Sequence, residues 1–275
     1  MGGIPRGRCG KCLNCKGGDD WHQYCENMEG HNGVFIDGCF ADYFIADSHS
    51  SCHIPDNLSF ASAAPLACAG VTIYRAIHVS GVKKGGWLGI VGSGGGLGHL
   101  GVQFAIAQGI NVVAIDARDE GIALSKKSGA KHVFDAREGT EKVVEEVKKL
   151  TDGLGVEAVC NTSEHDSSAA LSCAITRMHG TVVQVAQPKT VSVPFQELIF
   201  RDIRLIGTLI GGGEISQEMI DVAGKNNISV ETNIFHGLNE VPKMVELAHS
   251  GKMSGKAVVV VDEEAVKAEK GKVTA

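Results

Sequence analysis

Proline and aromatic side chains are scarce in this sequence of 275 residues, with six Pro, two Trp, three Tyr and nine Phe against 36 Gly. Glycine in excess without proline excludes a proline-rich linker and marks a fold in which backbones approach one another closely. Long apolar runs are also lacking. None approaches the ~18 consecutive apolar residues of a spanning helix, and Met1-Gly-Gly-Ile-Pro-Arg6 has no apolar signal core. Arg6 stands where a myristoylation motif has Ser or Thr. A cytoplasmic protein with no membrane partner is expected. Basic clusters are missing too: 26 Lys+Arg against 32 Asp+Glu leave a formal net charge of −6, which argues against nucleic acid as a partner.

Cysteine is present but unevenly placed. Cys9, Cys12, Cys15, Cys25, Cys39, Cys52 and Cys68 precede residue 70, and only Cys160 and Cys173 follow. Without a secretion signal this clustering points to metal ligation ahead of disulfides. Cys9, Cys12, Cys15 and Cys25 form C-x2-C-x2-C-x9-C, and four thiolates satisfy tetrahedral zinc with no position open to substrate. The expected role is a structural zinc that ties together a loop-rich lobe. His22 lies in the same loop and is an alternative ligand to Cys25, although a surface histidine is the simpler reading. Cys39, Cys52, Cys160 and Cys173 are expected to be buried core thiols.

The texture of the chain changes along its length. Residues 1–66 read as irregular loop and β structure, with short alternating runs such as Asp42-Tyr-Phe-Ile-Ala46. From Trp87, apolar strands and helices alternate: strands at 87–91, 112–116, 132–134, 156–160, 181–185 and 204–207, and helices at 97–108, before 129, at 140–150 and at 166–177. Six strands alternating with helices predict an α/β fold with a doubly wound parallel sheet, a dinucleotide-binding architecture. Beyond Gly211 come helices at 214–226 and 240–249 and strands at 233–235 and 257–261. This tail is expected to return to the first region. The predicted domains are therefore 1–66 with 212–275, and 67–211, with 263–275 a solvated extension.

The strand ending at Val91 leads into Gly92-Ser-Gly-Gly-Gly-Leu-Gly98 and then a helix. Gly92, Gly95, Gly96 and Gly98 are candidate pyrophosphate-binding residues, because missing Cβ atoms let the backbone approach and the helix N-terminus favours anions. A literal G-x-G-x-x-G exists at Gly96, Gly98 and Gly101, but Gly101 falls inside the helix, so the earlier register is preferred. Asp116, ending the next strand, is placed to accept the ribose hydroxyls and repel a 2′-phosphate, which predicts NAD over NADP. Arg118 is expected to pack near the adenine.

A four-Cys lobe ahead of such a unit resembles the zinc-dependent alcohol dehydrogenases of the medium-chain dehydrogenase/reductase superfamily, especially the yeast and other fungal ethanol dehydrogenases. Further matching elements are Asp37-Gly38-Cys39-Phe40 with Tyr43, His53-Ile-Pro55, Ala64 to Tyr74, Val183-Gln-Val185, Ile206-Gly-Thr208 and Ser254-Gly-Lys256. The resemblance implies a Rossmann domain beside an incomplete GroES-like β domain carrying the zinc lobe. It implies NAD and Zn2+ as cofactors, a small alcohol or aldehyde as substrate, and a homo-tetramer. By the same resemblance Gly95, Gly96 and Leu97 match the phosphate loop, Cys68 matches a ligand of a catalytic zinc, Thr72 contacts the nicotinamide region, Val185 and Thr208 lie beside the nicotinamide, and Lys256 stands near the pyrophosphate where relatives have Arg.

The family's catalytic zinc also uses an earlier Cys and a Gly-His-Glu segment, with a Thr or Ser and a His for proton relay, and none has a counterpart here. The chain is therefore expected to be an N-terminally truncated alcohol dehydrogenase or to carry a misplaced start. The alternative is an inactive remnant that binds NAD and one structural zinc. A zinc-free reductase of the same superfamily is disfavoured by the intact four-Cys cluster and Asp116.

Overall fold

The computed structural model describes residues 1–269, and the end of the expected terminal extension, 270–275, lies outside them. The chain divides into two compact units, residues 1–71 with 210–275, and residues 72–209.

In the second unit six strands form one sheet: β1 (Trp87–Val91), β2 (Asn111–Asp116), β3 (His132–Asp135), β4 (Val156–Asn161), β5 (Thr176–Gln184) and β6 (Arg204–Gly207). Their order is β3-β2-β1-β4-β5-β6 and every pairing is parallel. Parallel neighbours need crossovers, which helices α1 (Gly98–Ala107), α2 (Asp119–Lys127), α3 (Thr140–Leu150) and α4 (Ser168–Ile175) supply. Because helices cover both faces, the strands read as nearly continuous apolar runs. One face buries Val91, Val113, Ile115 and Val159 against Val143 and Val147 of α3 and Leu171 and Ile175 of α4. The other carries Leu88 and Ile90, beside Phe104 of α1 and Ile73, all fully buried. Phe104 meets Tyr74 edge to face at 5.3 Å. This is the doubly wound fold the alternation predicts. Most boundaries fall within two residues of those expected, but β5 starts at Thr176, five residues early, directly after α4 ends at Ile175, with a register shift opposite Val156/Ala158 and a left-handed His179 (φ 62°) inside it.

The first unit holds less regular structure. Pro5–Arg6 pairs antiparallel with Gly30–His31, and Thr232–His236 pairs parallel with Lys256–Val260. The helix Gly213–Lys225 buries Ile215, Met219, Ile220 and Ala223, a stripe at helical spacing. The expected β run at 42–46 is not a strand. It has no neighbouring strand among the described residues to complete its ladder, and Tyr43 and Ile45 are 94% and 74% exposed. Residues 263–269 of the expected extension form a helix.

The helical stretch Phe60–Ser80 has the length and average apolar composition of a membrane span, but Ser62, Thr72, Arg75 and His78 interrupt its apolar run, as the sequence expectation has it, and most of it is buried within the protein. It carries Arg75 as a buried residue whose Nη1 donates to Thr208 Oγ1. A guanidinium held by a protein partner marks a core helix. The stretch includes a π-helical turn, Leu66–Gly70.

Candidate cofactor cleft and metal cluster

The strand order reverses between β1 and β4, and there the loops leaving their C-terminal ends diverge. After Val91 the chain turns at Gly92, whose φ of 82° favours glycine. The N–H groups of Gly92 and Ser93 both donate to Ile115 O at 2.8 and 3.0 Å, so the loop is tied to β2. A Cβ on Gly98 would lie 2.1 Å from Gly92 O, which makes glycine the residue that lets α1 start tight against the loop. The first N–H groups of a helix lack intrahelical acceptors and carry its positive dipole end, the chemistry an anion needs. His99, buried in the first turn, donates from Nδ1 to Gly95 O at 2.9 Å and fixes that carbonyl.

Gly92, Gly95 and Asp116 line a cleft of about 660 Å³ together with Arg118, Arg137 and Thr162. Asp116 has its side chain only 4% exposed. Its Oδ2 accepts Gly94 N–H at 2.9 Å, and its Oδ1 accepts the N–H groups of Ala117 at 2.9 Å and Arg118 at 3.1 Å. An ionised carboxylate offers about four lone-pair sites, so one acceptor direction remains for a ligand hydroxyl. Arg118, on the cleft wall, turns toward the loop, with Nε 3.5 Å from Asp116 Oδ1 and Nη2 3.4 Å from Gly94 O. Arg137, on the cleft wall, is held by Asp135 and by Asp119.

Two residues at this end of the sheet went unnoticed in the sequence. Asn161, fully buried at the end of β4, donates from Nδ2 to Ser168 Oγ at 3.1 Å and Gln184 Oε1 at 2.9 Å, and accepts Ser163 N–H on Oδ1 at 3.2 Å. Thr162 donates to Val91 O at 2.8 Å and closes the gap between β1 and β4. The available signal was the run Asn161-Thr-Ser163 following the apolar strand, polar side chains where a buried strand meets a loop.

In the first unit Cys9, Cys12, Cys15 and Cys25 bring their sulfurs within 4.8 Å of one another. The Cys9–Cys15 and Cys12–Cys25 pairs are each 3.9 Å apart. A tetrahedral zinc with bonds of about 2.3 Å needs sulfurs about 3.8 Å apart, so the cluster fits that ion. Gly10, between the first two ligands, adopts φ 68°. Backbone N–H groups reach the sulfurs: Cys9 N–H to Cys25 Sγ at 3.3 Å and Cys12 N–H to Cys9 Sγ at 3.4 Å. N–H donors of Lys11 and Cys12 hold the Cys9 thiol down to about 6, and those of Cys15 and Glu26 lower Cys12. Burial and the neighbouring thiols push Cys15 up to about 12. His22 pairs with Arg8 Nη1, and it is Cys25 that joins the cluster. Among the described residues no other group of three or more His, Cys, Asp or Glu converges in this way.

The remaining candidates are spread over both units. Cys68 is exposed in the π-helical turn. Thr72 is half-buried in the helix Val71–Ser80. Val185 is buried just past β5 and donates its N–H to Asn161 O at 3.0 Å. Thr208 follows β6 and donates to Leu209 O at 3.2 Å. Lys256 opens the strand Lys256–Val260 and donates its N–H to Glu231 O at 2.8 Å. Gly96 and Leu97 complete the turn into α1 without lining the cleft.

The family described as zinc-binding dehydrogenase matches residues 96–226. An alcohol dehydrogenase of Geobacillus stearothermophilus is 34% identical over 265 residues, covering 94% of this chain and 75% of the relative. One from Rhizobium meliloti is 32% identical over 260 residues, covering 94% and 74%. Among solved structures, the alcohol dehydrogenase of the archaeon Aeropyrum pernix superposes with a TM-score of 0.83 at 29% identity, covering 94% of this chain and 75% of that one.

Proposed function

The chain belongs to the zinc-binding alcohol dehydrogenases of the medium-chain dehydrogenase/reductase superfamily, and from that premise we propose that it is an NAD-linked oxidoreductase of primary or secondary alcohols, producing aldehydes or ketones. The observation that carries the reading is the cleft at the switch point, where a glycine loop, a helix N-terminus and Asp116 meet on one parallel sheet. NAD, when bound, supplies the two-electron acceptor for the alcohol carbon. The loop from Gly92 to Gly98 would hold its pyrophosphate, Asp116 its adenosine ribose, and Thr72, Val185 and Thr208 the nicotinamide end, with Lys256 adding charge toward the phosphates.

Zinc would occupy Cys9, Cys12, Cys15 and Cys25 as a structural ion, a role the closed four-sulfur set supports. Cys68 is proposed as one residue that would hold a second, catalytic zinc, an ion that would supply Lewis-acid chemistry at an alcohol oxygen. The assembly is proposed to be a homo-tetramer in the cytoplasm.

A second reading is favoured by one observation: Cys68 belongs to no converging ligand group among the described residues. On that reading the chain binds NAD and one structural zinc without oxidising alcohols. Alcohol-dependent absorbance at 340 nm, measured with NAD and purified chain of known zinc content, separates the two. Turnover that chelation abolishes supports the enzyme. About one zinc per chain with NADH binding and no turnover supports the second reading. Neither NADH binding nor turnover overturns both.

A further inference from the structure

The glycine loop is held from outside at Gly94. Its N–H donates to Asp116 Oδ2 at 2.9 Å, and its C=O lies 3.4 Å from Arg118 Nη2. Arg118 Nε is in turn 3.5 Å from Asp116 Oδ1. A single ion pair at the end of β2 therefore reaches both peptide groups flanking one loop residue. The backbone around it leaves no slack: a Cβ on Gly94 would sit 2.0 Å from Gly121 O, and a Cβ on Gly121 would sit 2.3 Å from Asp116 Oδ1. Three chain segments thus close on one carboxylate, namely the loop, the end of β2 and the first turn of α2.

We propose that Asp116 and Arg118 form a clamp on Gly94 that positions the phosphate-binding loop, so that the carboxylate is a positioning residue for the pyrophosphate cradle and not only a partner of the ribose. This rests on the reading of the cleft as the cofactor site. The clamp and a purely ribose-directed carboxylate differ in sign. A carboxylate near an anion site repels phosphate, so its removal would strengthen the binding of a ligand that has phosphates and no ribose. If instead the carboxylate holds the loop in shape, its removal weakens that same ligand, because the donors are no longer pre-organised.

The test uses Asp116→Ala and Arg118→Met in the zinc-loaded full chain, the second keeping the buried carboxylate so that folding is preserved. Hydrogen–deuterium exchange of the cofactor-free protein reads the peptide covering residues 92–98. At least about tenfold faster exchange is expected in Asp116→Ala, with a smaller acceleration in Arg118→Met and the rest of the sheet unchanged. Titration calorimetry with inorganic pyrophosphate is expected to show at least about tenfold weaker binding by Asp116→Ala. Unchanged exchange at 92–98 in both variants, or pyrophosphate binding as tight as or tighter than that of the parent, overturns the clamp. A parent chain that binds no NADH while the exchange effect persists leaves the clamp standing and removes the cofactor reading.

Discussion

Burial sorts the thiols by chemistry, and of the four expected in the core only Cys160 and Cys173 are buried, Cys39 being exposed and Cys52 part-buried. Cys160, fully buried in β4, is pushed up to about 12 by desolvation, and Cys173 in α4 to about 11 by the same cause. A thiol whose pKa is raised by folding lends stability that is complete below the unfolded value near 9 and fades as pH climbs toward the folded value. The unfolding free energy from denaturant titration is therefore expected to fall from pH 9 upward, by about 1.4 kcal/mol per pH unit for each such thiol, and Cys160→Ala to flatten the slope. Iodoacetamide at pH 8 is expected to label exposed Cys68 and to spare Cys160, as peptide mapping would show. Cys9→Ser removes one of four ligands and is expected to lower bound zinc from about one per chain to well below half, read by elemental analysis. The four cluster thiols were legible in the sequence because three of them lie within seven residues and need only local turns. His99 and Asn161 were not, since each acquires its role from groups that only the folded sheet brings near.

At the scale of elements, the loop from Gly92 into α1 works by close approach. Gly98→Ala would put a methyl 2.1 Å from a backbone carbonyl that cannot retreat, whereas a Cβ at Gly101 meets the Ile73 side chain at 2.7 Å. Gly98→Ala is expected to cost about 1–3 kcal/mol in unfolding experiments and to abolish NADH binding. Gly101→Ala is expected to keep binding, because a side chain can shift. The strands and helices of the six-stranded sheet were readable because burial on both faces leaves plain apolar runs divided by glycine-rich turns. Residues 42–46 misled because alternation signals a strand only when another strand is there to pair with it, and Tyr43 and Ile45 instead face solvent. The helical stretch 60–80 gave no clear period: its composition is apolar almost all round, and Pro65 sits inside it.

At the scale of the molecule, large apolar side chains cluster in the first unit. Val34, Phe35, Phe40, Tyr43 and Ile45 are all exposed within twelve residues of sequence. Exposed apolar surface of this kind drives association, so the isolated chain is expected to bind a hydrophobic dye and to elute heterogeneously in light-scattering chromatography. A sharp monodisperse peak without dye binding would count against that expectation. Neither the substrate nor the assembly could be read from the residues alone, because both depend on surfaces that short motifs do not describe. The claim on which the functional reading turns is that the cleft beside Asp116 holds NAD. Titration of the purified chain with NADH and NADPH, followed by nicotinamide fluorescence, tests it most directly. Saturable NADH binding at one site per chain is expected, with NADPH at least about tenfold weaker because the buried carboxylate repels a 2′-phosphate. No saturable NADH binding, or NADPH binding at least as tight, would contradict it.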